Sequence, residues 1–230
     1  MSLLTSSEIL SVARITIDIF ERRGLRCCLM GSVASYLYGV PRTPNDVDLV
    51  VLSNQYTQES LKEILVRENK QFVLVRSRNP RATYRVLWYR ILGTYARCKV
   101  DILIPGILNV PMVPEEHIVI SKAPHYLPVM PLIPQLLLKL QGWSDHRASP
   151  RSDMQFKQYL DVRDIDALLE IVCNKKLRID DEDVRWVPES MIEDARSTLR
   201  RYVLFASTGS VRKWRAIGFD VRSADHTMIF

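Results

Sequence analysis

Residues 29–52 read LMGSVASYLYGVPRTPNDVDLVVL. A short apolar run, Cys27 to Met30, ends on Gly31-Ser32. A stretch of small residues with helical character follows, then a loop punctuated by Pro41 and Pro44. A second apolar run then opens on Asp46-Val47-Asp48. The pattern predicts strand, Gly-Ser turn, helix, loop and strand. Strand side chains alternate with period two, so acids at i and i+2 share one face. Leu49, Val50, Val51 and Leu52 follow at once, which makes the second strand largely buried. Two like charges side by side at a buried strand end repel each other and lose hydration unless something cationic holds them. A hard divalent metal answers that need, above all Mg2+ shared with the phosphates of a nucleotide. Gly31 lets a phosphate approach the backbone. The N–H groups opening the next helix, with the Ser32 hydroxyl, offer donors to an anion. Each piece alone has an ordinary reading, as a turn or a solvated strand face. Their combination in one continuous stretch points to a metal-nucleotide site.

Gly31-Ser32, thirteen intervening residues and Asp46-Val47-Asp48 resemble the signature of the DNA polymerase beta-like nucleotidyltransferase superfamily. That signature is Gly followed by Gly or Ser, a spacer of about this length, then Asp-x-Asp or Asp-x-Glu. Lys99-Val100-Asp101-Ile102-Leu103-Ile104 is similar to the later strand that carries the superfamily's third carboxylate, which makes Asp101 the third acid. The resemblance covers about the first half of the chain. It implies an α+β fold with a nucleotidyltransferase-type mixed β-sheet and flanking helices, followed by a helical C-terminal domain. The catalytic domain is expected at 1–128 and the helical domain at 129–230. Mg2+ is the implied cofactor, held by Asp46, Asp48 and Asp101, and a nucleoside triphosphate, ATP or CTP, is the implied substrate. Gly31, Ser32 and Arg42 are then assigned to the phosphates.

Composition sets wider bounds. With 230 residues, 47% hydrophobic and 25% charged, the chain has ample material for a core, as one compact domain or two small ones. Thirty-two Lys and Arg against 26 Asp and Glu leave a formal charge of +6, which favours an anionic partner and suits a triphosphate or RNA equally. The four cysteines have neither CxxC spacing nor a His at metal-ligand distance. They sit among apolar neighbours, so a disulfide framework or zinc site is not expected and the chain reads as cytoplasmic. Ser6, Ser7 and Glu8 break up any signal-peptide layout early, and no apolar run approaches ~20 residues, so no membrane span is expected.

Along the chain, Ser6 or Ser7 is expected to cap a helix from Glu8 to Arg23 that ends at Gly24, with Ile9, Val12, Ile15, Ile17 and Phe20 facing inward. A polar-rich helix is expected over Tyr56–Asn69, and strands over Phe72–Val75, Tyr84–Ile91 and Cys98–Ile104. Arg76, Arg78, Arg81, Arg85, Arg90 and Arg97 interleave there with Tyr84, Trp88, Tyr89 and Tyr95. This stretch reads either as a solvated hairpin with cross-strand aromatic pairs or as an acceptor or triphosphate surface. Residues 107–130 are punctuated by proline, with a short strand candidate over Glu116–Ser121, and His117 and His125 there read as surface residues.

The second half has helical periodicity. In Pro131–Trp143, Leu132, Leu136, Leu137 and Leu140 make a stripe with Lys139 at its edge, where a lysine either snorkels to water or reaches a phosphate. A polar, basic loop is expected over Ser144–Ser152, then a helix from Asp153 to Cys173. Asp161 falls inside that helix's apolar stripe. It is either paired structurally with Lys157 at i−4 or part of a site. Lys139, Arg147 and Asp161-Val162-Arg163-Asp164 are similar in order to the helical half of toxin-type and antibiotic-modifying nucleotidyltransferases. That resemblance implies Lys139 and Asp161 among the catalytic residues and Lys139 and Asp164 at the nucleotide, with either Asp161 or Asp164 as the equivalent of that half's aspartate. Another helix is expected over Pro188–Phe205, then a basic tail with Arg212, Lys213, Arg215 and Arg222.

The function implied is Mg2+-dependent transfer of a nucleoside monophosphate from an NTP to an acceptor hydroxyl. An RNA acceptor, such as a tRNA 3′ end, is favoured, and a small molecule or protein side chain stays open. A reading of a different class is a non-catalytic nucleotide- or RNA-binding module that keeps the fold.

Overall fold

The structure is a computed structural model that describes residues 4–77, 82–207 and 209–221. The chain divides into two compact units, Met1–Met130 and Pro131–Phe230. Arg78, Arg81 and Arg222, singled out from the sequence, lie outside the described residues.

The first unit is built on a mixed sheet. Helix α1 (Ser6–Arg22) leads into β1 (Cys27–Met30), and α2 (Gly31–Tyr38) begins at the very next residue. Then come β2 (Asp46–Val51), α3 (Gln58–Glu68), β3 (Phe72–Arg76), β4 (Arg85–Arg90) and β5 (Arg97–Leu103). Two short strands, β6 (Val119–Ile120) and β7 (Pro128–Val129), complete the sheet. The seven strands lie in the order β3-β4-β5-β2-β1-β7-β6. β2 runs parallel to β5 and antiparallel to β1, which puts the two strands bearing the candidate acids side by side.

Alternation along β2 and β5 divides the sheet into two faces. Val47, Leu49, Val100 and Ile102 turn to one side and join Ile9, Val12, Ile17 and Phe20 of α1 and Leu61 and Leu65 of α3 in one core, all with at most 1% exposure. Burying each such side chain stabilises the unit by ~1.5–3 kcal/mol. Asp46, Asp48, Lys99 and Asp101 therefore stand on the opposite face.

Several local expectations shift. The cap of α1 is Thr5 rather than Ser6 or Ser7. The Glu8 N–H donates to Thr5 Oγ1 at 3.2 Å and the Thr5 N–H donates to the Glu8 carboxylate at 2.7 Å. Only Thr5 stands three residues before that glutamate, so only it closes a reciprocal box. The Glu116–Ser121 candidate resolves into a 3-10 turn at Glu115–His117 and the two residues of β6. β7, parallel to β1, was not anticipated, because two residues that include a proline carry no strand periodicity.

The second unit is helical: α4 (Leu132–Ala148), α5 (Ser152–Gln155), α6 (Lys157–Asn174), α7 (Glu189–Tyr202) and α8 (Ser210–Ala216). α4 packs on α6 and α7. Its core includes a chain of aromatics, with ring centroids 5.1 Å apart for Trp143 and Tyr202, 6.3 Å for Tyr202 and Trp214, and 5.4 Å for Trp214 and Phe219. Half of the expected basic loop, Ser144–Ala148, is helical instead. There His146 bonds Asp161 and Arg147 lies 4.0 Å over the Phe205 ring, so tertiary contacts prolong α4 until Pro150 disfavours helix at Ser149. The expected Asp153–Cys173 helix is broken at Phe156 into α5 and α6. Among the described residues no helix is long and apolar enough to cross a membrane.

Candidate active site

β1 ends at Met30, Gly31 turns at φ +64°, and α2 starts there without a side-chain cap from Met30. Antiparallel pairing sets Met30 opposite Asp48, so the Asp48 carboxylate lies directly over Gly31. A Cβ on Gly31 would come 3.0 Å from Asp48 Cγ and closer still to Oδ2. Glycine is therefore demanded twice, by its backbone angle and by the carboxylate above it. Ser32 is buried, and its Oγ donates to Asp46 Oδ1 at 3.3 Å.

Across the sheet, the parallel register pairs Asp46 with Lys99 and Asp48 with Asp101. One carboxylate oxygen from each of Asp46, Asp48 and Asp101 lies within 4.8 Å of the other two, and all three residues are half-buried. The donor set suits a hard divalent cation: three carboxylates from two adjacent strands, with oxygens converging on one spot. Lys99 Nζ donates to Asp101 Oδ2. Burial works against the Lys99 ammonium, but Asp101 beside it, with Asp46 and Asp48, outweighs burial and holds its pKa above the ordinary lysine value. The thiol of Cys98 is pushed up to about 12, by burial first and then by the charges of Asp46 and Asp48.

Of the arginine-aromatic stretch, Arg85 is engaged with Glu59 at 3.0 Å and Glu63 at 2.7 Å. Tyr89 is buried against Phe72, with ring centroids 4.9 Å apart. Trp88, in contrast, stands opposite Lys99, and Arg90 stands opposite Arg97, so alternation puts Trp88, Arg90 and Arg97 on the face that carries the acids. Arg42 lies half-buried in the loop between α2 and β2.

The other sequence-selected residues lie in the helical unit. Lys139 Nζ donates to Asp164 Oδ2 at 2.9 Å, with the side chains only 12% and 1% exposed. Asp161 Oδ2 is 2.6 Å from His146 Nδ1 on α4, and the anticipated partner Lys157 is exposed. Sequence reading passed over Lys99 and His146. The i, i+2 spacing of Lys99 and Asp101 carried the first signal. The second depended on α4 running five residues further than its apolar stripe.

Fold and acidic site together define a nucleotidyltransferase-type architecture. The structure is similar to that of an antigenic nucleotidyltransferase-like protein from Paracoccidioides brasiliensis, with a TM-score of 0.61 and 16% identity over 87% of this chain and 91% of that one. At that identity the likeness establishes the fold. Looser similarity extends to the antibiotic-resistance factor ANT(2'')-Ia (TM-score 0.44, 10% identity, 85% of this chain and 94% of that one). It extends also to terminal uridylyl transferase 4 from Trypanosoma brucei (TM-score 0.36, 16% identity, 89% and 66%). No protein-family model matches the sequence, and no curated protein matches it.

Proposed function

We infer that the protein is a metal-dependent nucleotidyltransferase that moves a nucleoside monophosphate from an NTP to an acceptor hydroxyl. The observation that carries this reading is the convergence of Asp46, Asp48 and Asp101 within 4.8 Å, beside a Gly-Ser turn that opens a helix. Mg2+ held by these three carboxylates would neutralise charge on the phosphates and on the attacking and leaving oxygens. The Ser32 hydroxyl bond orients Asp46, and Gly31 leaves room for Asp48. The positive end of the α2 dipole favours the triphosphate's negative charge. The acceptor oxygen attacks the α-phosphorus, the bond to the bridging oxygen breaks, pyrophosphate leaves, and an Asp101 carboxylate oxygen takes the hydroxyl proton.

An RNA acceptor is favoured by the +6 net charge and by Trp88, Arg90 and Arg97 on the face that carries the acids, since an aromatic plane among cations suits a base-bearing polyanion. A small hydroxylated molecule is the competing acceptor. The test incubates the purified protein with each labelled NTP, Mg2+ and total cellular RNA, with Asp48→Asn as control. Label entering RNA with the wild type alone is expected. Nucleotide binding without label transfer to RNA, small molecules or protein would instead favour a non-catalytic binding module.

A further inference from the structure

The parallel register of β2 and β5 does more than gather three acids. It sets Asp46 opposite Lys99 and Asp48 opposite Asp101, so four charged side chains form a two-by-two array on one face. One of the four is a cation. Lys99 reaches along its own strand and donates to Asp101 Oδ2, the two side chains being 38% and 37% exposed. An ammonium has three donors and no acceptor, so the carboxylate oxygen it occupies accepts from it and is screened from other cations. A divalent ion must approach ligand oxygens to ~2.0–2.1 Å in the case of Mg2+, so on the Asp101 carboxylate it would stand within a few ångströms of the ammonium and be repelled by it. We propose that Lys99 is an internal counter-ion of the carboxylate cluster that competes with the divalent cation for Asp101, so that metal entry displaces the ammonium. This rests on the metal reading of the cluster.

Two consequences follow from the charges alone. In the metal-free protein, Lys99 relieves the repulsion among Asp46, Asp48 and Asp101 and holds Asp101 in place. When metal arrives, the same positive charge opposes it, and the long flexible stem with its partly exposed head lets the ammonium swing aside. Lys99 thus stabilises the empty site and weakens the loaded one. Its removal must move those two properties in opposite directions, which an ordinary surface ion pair would not do.

The test uses Lys99→Met, which keeps most of the apolar stem and deletes the charge, and Lys99→Arg, which keeps the charge. Mn2+ is titrated into nucleotide-free full-length protein by calorimetry, and the thermal midpoint is read in EDTA and in excess Mn2+. Lys99→Met should bind Mn2+ at least ~10-fold more tightly, a fraction of the repulsion expected between charges near a protein surface. It should also melt lower in EDTA and gain more from Mn2+ than the wild type. Lys99→Arg should stay within about 3-fold of wild type, because the repulsion persists. Unchanged or weaker Mn2+ binding in Lys99→Met, with binding abolished by Asp48→Asn, overturns the competition while leaving the metal site standing. Mn2+ binding that survives Asp48→Asn, or no Mn2+ binding by any variant, overturns the metal reading and the competition with it. If Lys99→Met fails to fold in EDTA, Lys99→Gln takes its place under the same criteria.

Discussion

Two aspartates of the helical unit and three of the sheet are arranged differently. Asp161 and Asp164 of the helical unit are nearly sealed from solvent, and each lies within hydrogen-bond distance of a basic side chain on α4, His146 and Lys139 respectively. Asp46, Asp48 and Asp101 of the sheet are less buried, yet they stand against one another with oxygens within 4.8 Å. A buried charge that serves packing is matched with an opposite partner, because an unmatched one is too costly. Acids gathered side by side spend stability on repulsion, and that arrangement persists where a cation is to be bound. Asp101 too has a cation beside it, Lys99, so what marks the sheet as the candidate metal site is the clustering of three acids and not the lack of an opposite charge.

Mutations can break this contrast, and the largest effect belongs to the sheet. Asp48→Asn should lower transfer by roughly 10^3-fold, the scale of losing one key electrostatic group, while the metal-free melting temperature holds or rises. A sharp fall in that melting temperature would make Asp48 a structural partner. The helical unit should respond in the reverse manner. Lys139→Ala removes the ammonium paired with the buried Asp164 carboxylate, so urea denaturation should report a loss on the order of 3 kcal/mol. Unchanged stability with a raised NTP KM would instead transfer Lys139 to nucleotide binding.

Smaller effects sharpen the comparison. Gly31→Ala should destabilise by about 2 kcal/mol, from its positive φ and from contact with Asp48. In an Asp48→Ala background the carboxylate contact is gone, and the same substitution should cost about 1 kcal/mol less by denaturant melts, a coupling that independent sites would lack. Asp161→Asn should have the mildest effect, about 1 kcal/mol in thermal melts, since the amide oxygen can still accept from His146. If that substitution abolished transfer with stability intact, Asp161 would join the functional set.

Much of the first unit is legible because its signals are short-range. Period-two alternation and an apolar continuation suffice to make Asp46-Val47-Asp48 a strand with two acids on one face, and Gly31-Ser32 marks the turn between strand and helix. The capping choice at Thr5 was equally local, but it required counting back three residues from Glu8 rather than starting at the serines. The limit of α4 was not local. Apolar spacing stops near Trp143, whereas contacts from Asp161 and Phe205 carry the helix to Ala148.

The sequence by itself determined the strand-turn-helix-loop-strand order, the identity of the acids and the amphipathic faces, because each depends on residues within one or two turns or a few strand positions. Only the tertiary structure decided that Asp101 stands beside Asp48 and Lys99 beside Asp46, and that Trp88, Arg90 and Arg97 share their face while Arg85 belongs to Glu59 and Glu63. The placing of Asp101 and Lys99 hangs on the register of β2 against β5, strands more than fifty positions apart in the chain, and the shared face of Trp88, Arg90 and Arg97 on that of β4 against β5; a slip of one residue would turn every side chain of β5 to the other face. Register is set by how the buried rows Val47, Leu49, Val100 and Ile102 pack into the shared core, which no local pattern encodes.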